Sequence, residues 1–203
     1  MFISKTSTLV HSFAAKDEAR PEITGVLLTP DGTMAATDYY SLAEIKMKSM
    51  PKDDDFPLAA GHKKPMPLSA PVILPAKFVA SIGQSISPSP SLPILSFAAL
   101  NGIDENFAHF VTTDLETVQD QKTRIIDGKF PDYEKIFPQG KPVVEVTLNP
   151  EYLFQAAKLL TQFNKGRGVK RVKLSIYQPN EPVIMTSETN EHTAKVVLMP
   201  LRV

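Results

Sequence analysis

The hydrophobic positions of this chain alternate between helical and strand periods, and the changes divide it into three stretches of similar layout: a short strand, a helix, then two or three strands. In the first stretch, Phe2 to Ser4 predicts a strand, and Thr6 or Ser7 can cap a short helix with Leu9, Val10 and Phe13 on one side. Residues 22–28 and 33–37 then read as strands around Thr29-Pro30-Asp31-Gly32, a turn sequence. Residues 49–70 are rich in Pro, Asp and Lys and read as a long surface connection.

The second stretch opens with Pro71-Val72-Ile73-Leu74, and Pro75 suits the first helical position. Phe78, Val79, Ile82 and Ile86 follow at helical spacing, and the prolines of Ser87-Pro88-Ser89-Pro90-Ser91 end the helix. Residues 92–100, 106–113 and 116–126 have strand character. In the third stretch, residues 143–148 predict a strand, Asn149 an N-cap and Pro150 the first helical residue. Leu153, Ala156, Ala157 and Leu160 form the apolar stripe, and Gly166 and Gly168 end the helical region. Val172, Leu174 and Ile176 alternate with Arg171, Lys173 and Ser175, the pattern of a strand with one buried face. Residues 183–187 and 192–198 close the sheet. Helices interleaved with groups of hairpin-joined strands predict an α+β fold of repeated β-α-β-β units, with antiparallel sheets and helices on one face. The repeat is architectural, with little residue-level identity between units.

Composition narrows the chemistry. The chain has 203 residues, 42% hydrophobic and 22% charged, the balance of a globular protein. It contains no cysteine, which excludes disulfides and thiolate sites and fits a cytoplasmic setting. No stretch reaches the roughly 18 apolar residues of a membrane span, and Met1-Phe2-Ile3-Ser4-Lys5 lacks the features of a signal peptide. His11, His62, His109 and His192 are scattered, and Asp53-Asp54-Asp55 reads as a solvated loop, so no metal site and no cofactor are expected. No glycine-rich phosphate loop, nucleophile elbow or acid-base pair is present, and the chain is not expected to be an enzyme.

Two segments carry a family resemblance: Asp127-Gly128-Lys129-Phe130-Pro131-Asp132-Tyr133, and the run Val196-Val197-Leu198-Met199-Pro200-Leu201-Arg202-Val203. In this order and spacing they resemble landmarks of the bacterial DNA sliding clamp, the beta subunit of the replicative polymerase. Residues 23–46, through Thr24-Gly25-Val26-Leu27-Leu28 and Ala36-Thr37-Asp38-Tyr39-Tyr40-Ser41-Leu42-Ala43, resemble the first half of the clamp's middle domain. Residues 70–138 resemble its second half, and residues 143–203 the last half of the C-terminal domain. The chain is thus similar to a shortened clamp, with 1–138 as a complete domain and 143–203 as a half-domain. The resemblance implies the clamp fold, a DNA-encircling processivity factor, and partners in double-stranded DNA and a DNA polymerase or other clamp-binding protein. A lone half-domain exposes a sheet edge and an apolar helix face. Two such halves are therefore expected to pair in a homo-oligomer, a dimer or a tetramer ring.

In clamps, the Met-Pro segment and the Thr-Asp-x-x-x-Leu region form a groove for client peptides. The resemblance maps that groove onto Thr37, Leu42, Pro138, Met199 and Leu201, with Tyr39 and Tyr40 in place of the usual small and basic residues. The alternative reading of these positions is ordinary core at a domain junction. Charge offers a second candidate. Formal net charge is zero, yet between Tyr152 and Asn180 no acidic residue accompanies Lys158, Lys165, Arg167, Lys170, Arg171 and Lys173. Lys158 and Gln155 lie off the apolar stripe, where a clamp would face phosphates; Lys77 and Lys16 add to the set. The alternative is a solvated basic face without a ligand. Phe130-Pro131-Asp132-Tyr133 reads as structural punctuation, because Pro131 holds Phe130 extended. Against the clamp stands an interaction module of clamp-like fold that binds peptides or regulates clamp clients without enclosing DNA.

Overall fold

In the computed structural model, which describes residues 1–57, 63–87, 89, 91–164 and 170–201, strand β1 (Phe2–Ser4) does not pair with the strands that follow it. It pairs antiparallel with β6 (Phe97–Asp104), setting Ile3 against Ala98. Conversely β5 (Val72–Pro75), which opens the second repeat, pairs with β2 (Gly25–Leu28) of the first, setting Val26 against Leu74. With β3 (Met34–Thr37), β4 (Leu42–Ile45), β7 (Phe107–Thr113) and β8 (Val118–Arg124), two four-stranded sheets result, ordered β4-β3-β2-β5 and β1-β6-β7-β8. Each repeat thus lends its opening strand to the other repeat's sheet.

Between β1 and β2 the chain forms a 3-10 helix, Ser7–Phe13, and between β5 and β6 helix α1, Ala76–Ser85. One core unites both helices with one face of each sheet: Ile3, Val10, Val26, Leu28, Leu74, Val79, Ile82, Leu100 and Phe110 are all buried in it. The expected helix at residues 7–13 is therefore a 3-10 turn, and its narrower period buries Val10 but leaves Leu9 and Phe13 outside. Ser4 Oγ, rather than Thr6, accepts the Ser7 N–H.

Two connections cover the outer faces of the sheets. Phe56 packs on Phe2, Ala99 and Val111, so the long connection after residue 48 is not purely surface. Leu68 enters the main core, and Met66 N–H bonds to Leu100 O at 2.8 Å. On the other sheet, Phe130 and Tyr133 cover Leu27, Ala35 and Ile73, with Leu42 and Ile126 at the margin. Their rings meet edge to face with centroids 6.1 Å apart. Burial pushes the Tyr133 hydroxyl pKa up, and its hydrogen bond to Glu44 reinforces the shift. The Phe-Pro-Asp-Tyr motif is thus a lid on a sheet.

The chain divides into two compact units, Met1–Glu134 and Lys135–Val203. The second holds helix α2 (Pro150–Phe163) and a three-stranded sheet of β11 (Thr193–Leu198), β10 (Val183–Glu188) and β9 (Lys173–Ser175), in that order. Asn149 caps α2 as expected, its Oδ1 accepting the Glu151 N–H at 2.8 Å. Ala156 and Leu160 pack on Val183, Met185 and Leu198. Three expectations fail here. Residues 143–148 are not a strand, Leu153 and Ala157 are exposed, and Val172, Leu174 and Ile176 have no buried face. Gly166 and Gly168 lie outside the described residues.

Candidate functional site

The candidate groove residues of the first unit sit at one hairpin. Thr37 and Leu42 face each other across β3 and β4. Thr37 is buried; its hydroxyl donates to Ser41 O at 2.7 Å and accepts the Tyr39 N–H at 3.1 Å. Asp38 Oδ1 accepts from the N–H groups of Tyr40 and Ser41 and from the Ser41 hydroxyl. These bonds, that of the Ser41 hydroxyl foremost, hold the Asp38 carboxyl below its usual pKa.

The hairpin joining β7 to β8 is built the same way. Thr113 Oγ1 donates to Thr117 O at 2.8 Å and accepts the Leu115 N–H at 3.0 Å. Asp114 accepts from the Glu116 and Thr117 N–H groups and the Thr117 hydroxyl. Tyr39 and Leu115 both take positive φ, 70° and 78°. Thr-Asp-x-x-Ser and Thr-Asp-x-x-Thr are therefore one turn motif at equivalent places in the two repeats, a residue-level repeat that the sequence reading missed. Thr37 is spent on that turn, and Leu42 packs beneath Phe130 and Tyr133. What the hairpin presents outward is Tyr39, with the Arg20 guanidinium 4.8 Å from its ring centre, and Tyr40, which is 98% exposed.

The second unit carries the other groove residues. Pro138 is exposed, as are Met199 (67%) and Leu201. Met199 borders a cavity of about 430 Å³ between α2 and β11, with Tyr152, Ala156, Leu159 and Val197 among its walls. Leu201 N–H donates to Thr147 O at 2.8 Å.

The basic residues fall into separate groups. Lys158 is exposed on α2 beside Gln155, away from buried Ala156 and Leu160. Lys170, Arg171 and Lys173 line a depression with Thr186 and Glu188. Lys173 pairs with Thr186, whereas its neighbour Leu174 pairs with core residue Met185, so Lys173 points to the side of the sheet away from α2. Lys158 and Lys173 therefore do not share a face. Lys165 and Arg167 lie outside the described residues. In the first unit, Lys77 of α1 and Lys16 border one cavity of about 500 Å³ with His11 and Glu18.

Among the described residues no three His, Asp or Glu side chains converge to hold a metal. His109 is bonded to Asp104 at 2.9 Å, His192 is exposed, and His62 lies outside the described residues. No described helix is long and apolar enough to cross a membrane.

No protein-family model matches the chain, and no curated protein matches it. Solved structures do. The Bacillus subtilis DNA polymerase sliding clamp superposes with a TM-score of 0.68 at 19% identity, over 98% of this chain and 48% of that one. The DNA polymerase III beta chain of Streptococcus pneumoniae gives 0.69 at 16% identity, over 100% and 49%. The Helicobacter pylori beta clamp bound to a DNA ligase peptide gives 0.63 at 16%, over 98% and 49%. The chain spans about half the length of these proteins. Its α+β architecture is the fold of the bacterial DNA sliding clamp, in shortened form.

Proposed function

We propose that this chain is a non-catalytic processivity factor of the sliding-clamp kind, working in the cytoplasm. Several copies form a ring around duplex DNA and tether a polymerase or other client through a short hydrophobic peptide. The observation that carries this reading is the clamp fold itself, matched over nearly the whole chain. Because the net charge is zero, attraction to phosphates depends on where cations sit. The DNA-facing set is Lys77 and Lys158 on the helices, with Lys165, Arg167 and Lys170 after α2; Arg171, which alternates in step with Lys173, is left to the far face of the sheet. Such contacts are screened and indifferent to sequence, as sliding requires. The client groove comprises Thr37, Leu42, Pro138, Met199 and Leu201, with Thr37 acting through its turn.

Retention on DNA tests this reading. Protein loaded on nicked circular DNA should stay through a high-salt wash and be lost when the circle is linearised; equal retention on both forms would refute encirclement. A second reading, a peptide-binding module of clamp fold that does not enclose DNA, is favoured by the cavity at Met199, which needs no ring. Under it, Met199→Ala would weaken peptide binding while DNA topology made no difference.

A further inference from the structure

The first unit is completed by exchange between its two repeats, whereas the second holds a single repeat. Two markers align that repeat with the latter half of the first unit. The helices begin at Ala76 and Pro150. The returning chain bonds the opening segment through Ile126 N–H to Ile73 O at 2.9 Å, and through Leu201 N–H to Thr147 O at 2.8 Å. The helix starts and the accepting carbonyls share one offset, which places Leu148 at the position of Leu74.

At this offset Ala156 and Leu160 correspond to Ile82 and Ile86, and all four are buried. Leu153 and Ala157 correspond to Val79 and Gly83. Val79 is 0% exposed and Gly83, also buried, meets Thr8 of the other repeat's helix, but Leu153 is 40% exposed and Ala157 lies in the open. The sheet shows the same deficit. Leu28 of β2 is 0% exposed, while Leu174 of β9, on the helix side opposite Met185, is 57% exposed. Among the described residues β9 is a sheet edge, and residues 143–148 are unpaired on the side that β5 uses to join β2.

We propose that a second copy of this chain fills both gaps. Residues 143–148 of each copy add antiparallel to β9 of the other, and the two α2 helices cross at Ala157 about a twofold axis. In the first unit, β5 and β2 set even-numbered residues against even, Val26 against Leu74 and Leu28 against Val72. The same parity between copies puts Val144, Val146 and Leu148 with Val172, Leu174 and Ile176 on the helix side. Glu145 then lies on the far face with Lys173 and Arg171, where the charges are complementary. Ala157, like Gly83, is small enough for two helices to approach. The occupant is a second copy because unpaired strand, open edge and bare helix face are all on this chain, in the arrangement the first unit uses to close itself. This deepens the multi-copy part of the proposed function but depends on neither DNA nor client.

The absence of cysteine allows a direct test on the full chain. Thr147→Cys is combined in turn with Arg171→Cys, Lys173→Cys and Ser175→Cys, all outside the buried core. Mild oxidation should give a covalent dimer in at least one pair, and light scattering of the unmodified chain should give twice its 22.3 kDa. Ala157→Arg should halve that mass; retention of its circular dichroism spectrum would show that the variant still folds. A monomeric mass for the unmodified chain, disulfides formed only within one chain, or a folded Ala157→Arg variant that remains dimeric would overturn the proposal. A dimer that cross-links as expected but shows no topology-dependent DNA retention would refute encirclement and leave this interface standing.

Discussion

Gly83 lies directly against Thr8, and no other residue type fits there without displacing it. A Cβ on Gly83 would strike the Thr8 hydroxyl and lie 3.1 Å from Thr8 Cβ. Thr8 is buried and its hydroxyl is committed to Lys5 O at 2.7 Å. The contact is where α1 meets the 3-10 helix Ser7–Phe13, the central crossing of the first unit. Gly83→Ala should therefore destabilise that unit by about 1–3 kcal/mol, the usual cost of overpacking. Adding Thr8→Ala should recover part of the loss. Urea unfolding of both single variants and the double variant measures the coupling, and strict additivity would show that the two positions do not touch.

Leu115 and Tyr39 hold the left-handed corner of their turns, a conformation that costs a non-glycine residue about 1–2 kcal/mol. Leu115 is exposed, so little packing is lost on changing it. Leu115→Asn should raise stability by roughly 0.5–1 kcal/mol, because Asn tolerates positive φ. A rise in the thermal midpoint is the readout.

Asp38 and Asp114 titrate below the usual aspartate range. The Ser41 hydroxyl is the main cause for the first and the Thr117 N–H for the second. A carboxyl whose folded pKa lies below its unfolded value adds stability that is fully present above the unfolded value, about 3.9. That stability is lost as pH falls through the folded value. The first unit should therefore weaken below about pH 4. In the Asp38→Ala, Asp114→Ala variant, the acid limb of a urea-midpoint profile should be shallower.

Charge reversal at Lys77 and Lys158 should lower DNA affinity at every sequence alike. If each contacts a phosphate, the slope of log affinity against log salt should fall by about 0.9 per residue removed. Lys173→Glu, on the far side of its sheet from α2, should leave the slope unchanged. Fluorescence anisotropy across a salt series distinguishes these outcomes.

Much of the architecture was legible because period and punctuation are local. The Asn149-Pro150 helix start, the Thr29–Gly32 turn and the paired faces of β10 and β11 all follow from nearest neighbours. Strand partners did not follow, since periodicity says which side of Phe2 to Ser4 is apolar but not that its mate lies at Phe97. Residues 143–148 and 172–176 have the alternation of buried strands, yet among the described residues none of these positions is fully buried. Thr37 stood out in the sequence as a groove residue, and its part in a turn was not legible there. Its twin at Thr113 shows that the Thr-Asp pair builds a turn, and only three-dimensional equivalence reveals the repetition. The basic run looked like one patch in sequence, but strand alternation sends Lys173 away from the helix layer that carries Lys158.

The lending of β1 and β5 between repeats also bears on how the chain is made. Phe2 must wait for residue 99 to be made before its strand has a mate. Neither sheet can be finished early, so collapse of the first unit is a late, all-or-none event with many long loops to close. Nascent chains stalled before that point would hold bare strand edges, the stage at which a chaperone is most needed.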